Sequence, residues 1–313
     1  MTQPLVSVIT PSYQQGQFIQ QTIDSVLSQT YRHLEYIVMD GGSQDGTLDV
    51  LKRYNDPRMT WVSEKDGGQT NAINKGLRWA KGEIVTWINS DDMLTPDAVA
   101  FAVDYLQKHP NSSGIYGDCV YHDAQGKVVG YGYSAPFDLK VLRINQPGLF
   151  WRYGVTQTIG ELDESLNYAM DTEYWWRIAC AGFQLEYVPG VRAVYRLHGA
   201  SKTVSQEDGF LQDLKRIYDK VYQREDLPAH VQAARLYLEE YITWRETKYA
   251  WVSKDYARAR PSLWRFLFGK KHSRRLLAST MLLDSYLRTR LTYALDALYT
   301  RFRGVPLLGF RQA

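Results

Sequence analysis

The chain has 313 residues, 44% of them hydrophobic and 23% charged, with a formal net charge of +3. That length buries a sizeable core, and that composition excludes a disordered or collagen-like chain. Two cysteines exclude a disulfide framework and read as buried thiols of a reducing compartment, and no run approaches the roughly 18 apolar residues of a spanning helix. The opening "MTQPLVSVIT" lacks the basic segment and apolar stretch of a secretory leader, so a cytoplasmic protein is expected.

From the amino terminus, strand and helix signals alternate. "VSVIT" (Val6 to Thr10) is a β-branched apolar run, and Phe18, Ile19, Ile23, Val26 and Leu27 follow at helical spacing. "YIVMD" (Tyr36 to Asp40) predicts a second strand, and the turn sequence "GGSQDGT" leads from it into a helix through Leu51. "MTWVS" predicts a third strand, "GQTNAINKGLRWA" a third helix and "IVTWI" a fourth strand. This rhythm predicts a doubly wound α/β sheet with largely parallel strands. After the helix that starts near Pro96 the pattern changes. "GIYGDCVYHDAQGKVVGYGY" alternates and breaks at Gln125-Gly126, which predicts a β-hairpin on a mixed sheet. "DTEYWWRIACAGF" returns to helix, "EYVPGVRAVYRLHG" is extended, and the signal is helical from about Gln206 onward. The expected domains are residues 1–205, with halves meeting at about 110, and a helical region, 206–313.

Open α/β sheets bind ligands at the carboxyl ends of their strands. Those ends read Thr10-Pro11-Ser12-Tyr13, Asp40-Gly41-Gly42, Glu64-Lys65-Asp66-Gly67-Gly68 and Asn89-Ser90-Asp91-Asp92. Adjacent carboxylates repel and must be hydrated or paired. Asp91-Asp92 therefore fits either a helix-capping turn, with Ser90 or Thr95 as the cap, or a hard-cation site. The absence of a Walker lysine loop, and of G-x-G-x-x-G after the first strand, argues against a P-loop or a dinucleotide site. An acidic rim accepts a nucleotide diphosphate when a divalent cation lies between them.

In this order and spacing, "VSVITPSYQQGQFIQQTIDSVLSQTY", "YIVMDGGSQDGT", "DGGQTNAINKGLRWAKGEIVTWINSDD", "LDESLNYAMDTEYWWRIACAGF" and "YRLHGASKT" resemble the family 2 glycosyltransferases. The resemblance covers roughly the first two thirds of the chain. It implies a GT-A fold, a Rossmann-like mixed sheet flanked by helices, followed here by a C-terminal helical region. It also implies inverting transfer of a sugar from a nucleotide-diphosphate donor, with UDP expected, to a glycan or lipid-linked acceptor in surface polysaccharide or glycolipid synthesis. By resemblance, Pro11 and Tyr13 line the base pocket, Asp40 accepts a hydrogen bond from the base, and Asp66 helps close the nucleotide site. Asn71, where the family often has Asp, and Ser90 fall on the donor side. Asp91 reaches the ribose or a metal-bound water. Asp92 ligates Mn²⁺ or Mg²⁺, with His198 beside the metal or diphosphate and Arg196, Ser201 and Lys202 near phosphate oxygens. Asp171 is the expected catalytic base, with Glu173 in reserve.

The tail carries a separate signal. Trp251 to Ala313 holds 13 lysines and arginines against 3 acids, whereas the residues before it hold 24 against 31. "RPSLWRFLFGKKHSRR" mixes aromatic and basic residues as interfacial segments do, and Leu276, Leu283, Leu287, Leu291, Leu295, Leu298 and Phe302 fall near one helical face. An anionic inner membrane face, a homo-oligomer contact and a helical bundle packed on the catalytic domain all fit. No motif supports nucleic acid. The rival functions are a non-catalytic nucleotide-sugar-binding scaffold at a membrane assembly and a sugar-1-phosphate nucleotidyltransferase. The second would need a glycine-rich, Arg-containing loop, and "TPSYQQGQF" is not one.

Overall fold

A computed structural model describes residues 3–140, 142–199, 207–268, 275–287 and 291–296. They group into two units, Met1–Leu197 and His198–Ala313.

The first unit is built on four parallel strands: β1 (Val6–Ser12), β2 (Leu34–Asp40), β3 (Met59–Ser63) and β4 (Ile84–Trp87). Helices α1 (Ile19–Leu27), α2 (Thr47–Leu51) and α3 (Gln69–Trp79) connect them. Helices cover both faces of such a sheet, so β1 and β4 are buried along their whole lengths. Close packing fixes one glycine: a Cβ on Gly76 of α3 would lie 2.4 Å from Ile9 Cγ2 of β1.

Beyond β4 come β5 (Met93–Leu94), α4 (Ala98–Lys108), the hairpin β6 (Gly114–Asp123) and β7 (Val128–Gly132), β8 (Phe150–Arg152), α5 (Tyr153–Ile159), α6 (Met170–Cys180) and β9 (Leu185–Leu197). All strands join one nine-stranded sheet in the order β3-β2-β1-β4-β8-β6-β9-β5, with β7 beside β6. β8 is antiparallel to both β4 and β6, which makes the sheet mixed. β9 runs parallel to β6 through a bulge: Tyr116 pairs with Tyr187 but Cys119 pairs with Ala193, so six steps of β9 face three of β6. Asp118 holds this bulge, accepting from Tyr187 Oη at 3.0 Å, Gly190 N at 3.2 Å and Ser134 N at 2.9 Å.

The second unit contains α7 (Glu207–Tyr222), α8 (Ala229–Val252), α9 (Tyr256–Phe268) and α10 (Arg275–Leu287), followed by a helical stretch, 291–296. Trp244 and Trp251 of α8, Leu263 of α9, and Leu277, Met281 and Leu282 of α10 share one core. Trp251 Nε1 donates to the Met281 carbonyl at 2.9 Å. Among the described residues, no helix is long and apolar enough to cross a membrane. Leu276, Leu283 and Leu287 lie exposed on α10, while Leu298 and Phe302 fall outside the described residues.

Candidate active site

The carboxyl ends of β1 to β4 meet along one edge of the first unit. Ser12 is in register with Asp40, and Gly41 N donates to Ser12 O at 2.8 Å. Pro11 is buried beside them, whereas Tyr13 is 61% exposed, so its ring is accessible to a partner. Asp40 is buried and accepts from Gly42 N (3.1 Å), Ser43 N (2.9 Å), Ser43 Oγ (2.6 Å) and Ser63 Oγ (2.6 Å). It therefore fastens its own turn to the end of β3. The Asp66 carboxylate packs on Gly41, since a Cβ there would meet both oxygens at 3.1 Å, and Asp66 Oδ1 accepts from Gly68 N at 2.8 Å. At the same edge Ser12 Oγ and Gln15 Oε1 are buried without a hydrogen-bond partner, a state that is rare in native structures.

The turn after β4 is held from three sides. Thr22 Oγ1 of α1 donates to Ser90 O at 2.9 Å and Asp92 O at 2.7 Å. Gln69 Nε2, at the start of α3, donates to Asn89 Oδ1 at 2.9 Å. Arg196 N of β9 donates to Asp92 Oδ1 at 2.9 Å, and Asn89 Nδ2 to Asp92 Oδ2 at 3.3 Å. Asp92 is buried; burial and the neighbouring Asp91 charge push its carboxyl well above the usual range, against the pull of these donors and the Arg196 charge. The capping alternative fails for both candidates. Position Asp97 precedes α4 with no side-chain cap, and Thr95 Oγ1 instead donates to Arg192 O of β9 at 3.2 Å.

A carboxylate destabilised by burial beside a second acid is the kind of pair that a divalent cation neutralises. Among the described residues no three His, Cys, Asp or Glu side chains gather as a metal cluster. Two carboxylates suffice for an ion that keeps waters and substrate phosphates as further ligands, so Asp91 and Asp92 fit Mg²⁺ or Mn²⁺. The Arg196 guanidinium is buried, donating to Gln21 Oε1 and lying 4.7 Å over the Phe18 ring. It adds positive charge behind Asp91 and Asp92. His198 is the first residue of the second unit, and Ser201 and Lys202 lie outside the described residues.

Asp171 opens α6, where its Oδ1 accepts from Thr172 N at 2.6 Å. One turn later Trp175 stacks on Trp87 of β4, with centroids 5.9 Å apart and planes 9° from parallel, which seats α6 against the end of the fourth strand. Burial raises the Asp171 carboxyl above its ordinary pKa, and the Thr172 hydrogen bonds oppose this only in part. Glu173 is buried in an ion pair with Arg177, whose Nε lies 2.8 Å from Oε1 and 2.9 Å from Oε2. Arg177 also donates to Ile159 O and Glu161 O. Asn71 turns toward this segment: its Nδ2 donates to Glu164 Oε2 at 2.9 Å, and its Oδ1 accepts from Gly67 N at 3.2 Å.

Sequence reasoning did not single out the clamp that precedes α6. Asn74 Nδ2 donates to Leu162 O and to Glu164 Oε1, both at 2.9 Å, and Asn74 Oδ1 accepts from Leu162 N at 3.0 Å. Thr70 Oγ1 donates to Leu166 O at 3.0 Å, and Arg78 pairs with Glu161. Spacing could have shown that Thr70, Asn74 and Arg78 share one face of α3, but not what they reach.

Residues 7–150 match Glycosyl transferase family 2. Over 135 residues the chain is 34% identical to a chondroitin synthase of Escherichia coli, covering 42% of this chain and 20% of that protein. Over 218 residues it is 30% identical to an uncharacterised glycosyltransferase of Rickettsia prowazekii, covering 64% of this chain and 66% of that one. The chain thus spans only part of the length of these relatives. The fold resembles the mannosyltransferase PcManGT of Pyrobaculum calidifontis, solved with GDP-Man and Mn²⁺ (TM-score 0.64, 22% identity, 96% of this chain and 88% of that chain). It also resembles residues 1–349 of TarS of S. aureus, solved with UDP-GlcNAc (TM-score 0.64, 16% identity, 95% and 92%). These likenesses show the GT-A fold. Residues 7–150 thus form a glycosyl transferase family 2 region.

Proposed function

We propose that this chain is an inverting, metal-dependent glycosyltransferase. It moves a sugar from a nucleotide-diphosphate donor, with UDP as the expected nucleotide, to a hydroxyl of a glycan or lipid-linked acceptor in surface polysaccharide or glycolipid synthesis. The observation that carries this reading is the acid pair Asp91-Asp92 at the end of β4, with α6 and its raised Asp171 seated on the same strand through Trp175 and Trp87. A relative named chondroitin synthase, and a fold neighbour solved with GDP-Man and Mn²⁺, support the same class of reaction.

Pro11, Tyr13 and Asp40 receive the base. Asp91 and Asp92 are the groups that would hold Mg²⁺ or Mn²⁺, with Asp66, Ser90 and Arg196 around the donor. When bound, such an ion stabilises charge developing on the departing diphosphate. Asp171 accepts the proton of the acceptor hydroxyl as that oxygen attacks the anomeric carbon on the side opposite the leaving group. A carboxylate of raised pKa is the stronger base for this transfer. Glu173, tied to Arg177, keeps the start of α6 in place.

The test is a screen of UDP-, GDP- and dTDP-sugars for nucleotide release with Mn²⁺, Mg²⁺ or chelator, run beside calorimetric titration of the same nucleotides. Release that needs the ion and falls at least about 10²-fold in Asp92→Asn is expected, since an ion ligand and its charge are lost. Nucleotide binding with no turnover for any donor and acceptor would make the chain a binding scaffold instead.

A further inference from the structure

We propose that the outward faces of α9 and α10 form a docking surface for an anionic lipid bilayer. This goes beyond the transfer reaction and does not depend on it.

On α9, the exposed positions include Arg258, Pro261, Trp264, Arg265 and Phe268, one face of the helix. Trp264 and Phe268 are stacked, with centroids 5.7 Å apart and planes 4° from parallel, and Phe268 is 77% exposed. On α10, Leu277, Ala278, Met281 and Leu282 fill the core, while Leu276, Leu283, Tyr286 and Leu287 point outward. The two faces meet at Arg260, whose guanidinium lies 4.1 Å over the Tyr286 ring and whose Nε donates to Ser285 Oγ at 3.2 Å. Trp264 is one turn along α9 from that seam.

Charge selects the occupant. α9 contains no acidic residue, and the acid of α10, Asp284, is buried, accepting from Leu291 N and Thr292 N. Asp255 lies just before α9, where its Oδ1 accepts from Arg258 N. The outward surface of the two helices thus combines apolar and aromatic side chains with arginines, and the carboxylates at its margin are Asp255 and Glu246 of α8, whose Oε1 lies 4.0 Å from Arg258 Nη2. A second copy of this surface would bring arginine against arginine. An anionic headgroup layer over acyl chains matches both features, because aromatics and leucines enter the boundary while arginines stay among the phosphates.

The experiment is flotation of the full chain, without nucleotide, on vesicles of phosphatidylcholine alone and of phosphatidylcholine with phosphatidylglycerol. Binding to the anionic vesicles only is expected. It should weaken as salt rises from 0.1 M to 1 M, as the Debye length falls from about 10 Å to about 3 Å. Arg258→Gln and Arg265→Gln should each lower partitioning about fivefold. Trp264→Ser with Phe268→Ser, and separately Leu283→Ser with Leu287→Ser, should reduce it further, with circular dichroism unchanged because these side chains are exposed. Equal binding to both vesicle types, binding unaffected by all these changes, or no binding would overturn the proposal. So would a lipid-free dimer that the leucine changes dissociate. Nucleotide release in solution is measured independently, so either reading can fail alone.

Discussion

Asn74 and Glu164 lie 90 residues apart in sequence, yet the Asn74 amide donates to the Glu164 carboxylate at 2.9 Å. With its two bonds to Leu162, Asn74 makes α3, which follows the donor-side strand β3, the support of the loop leading into α6. Asn74→Ala leaves the Leu162 amide and carbonyl unpaired at a buried site. A loss of about 1–3 kcal/mol is expected in urea unfolding for each polar group left unsatisfied. If the clamp also sets Asp171, kcat falls more than nucleotide affinity; equal loss of both would make Asn74 a purely structural residue.

Asp171→Asn is nearly isosteric and removes the proton acceptor. A fall in kcat of about 10²–10⁴ is expected, with nucleotide affinity unchanged. Normal turnover with weakened nucleotide binding would transfer Asp171 to the donor side.

The raised Asp171 pKa has two separate pH consequences. Transfer needs the carboxylate, so kcat should be full above the raised pKa and fall tenfold per pH unit below it. That acid limb lies above the range near 3.9 typical of exposed aspartates. Stability has the opposite sign. The folded state binds this proton more tightly than the unfolded chain, so this contribution is fully present below the unfolded value and is lost as pH rises through the folded pKa. Asp171→Asn should therefore melt higher than the parent at pH 7, with the difference shrinking toward pH 3. A lower melting temperature at pH 7 would contradict the desolvation account.

Gly76→Ala tests the packing of α3 on β1. Its Cβ would stand 2.4 Å from Ile9 Cγ2, so helix or strand must shift, at a cost of about 1–3 kcal/mol by overpacking. Pairing it with Ile9→Ala, which removes Cγ2, should cost less than the sum of the two single changes if that contact is the cause.

Of the four parallel strands, β1, β2 and β4 were legible as apolar runs buried on both faces, β3 as a short run between turn signals, and the hairpin because Gln125-Gly126 interrupts an alternating pattern. β5 and β8 were not. Met93–Leu94 and Phe150–Arg152 are too short to show a period, and only pairing with β9, β4 and β6 defines them. At the site, Asp91-Asp92 stood out because adjacent acids at a strand end are costly. The partners of Asn71 and Asn74 did not, because an asparagine on a helix reveals its face and not the loop opposite. Arg196 was read through its charge alone; its burial between Gln21 and Phe18 depends on α1, some 175 residues away.

The bulge at Asp118 sets the phase of β9. Side chains along a strand alternate between its faces, so removing one residue between Tyr187 and Ala193 would turn the following stretch over. The Arg196 N–H would then leave Asp92, and Ala193 and Tyr195 would exchange places with Val194 and Arg196. Removing two would restore the alternation with a shorter loop. The parity of this spacer, more than the identity of its residues, keeps the acid at the end of β4 bonded to a strand that arrives from the far side of the sheet.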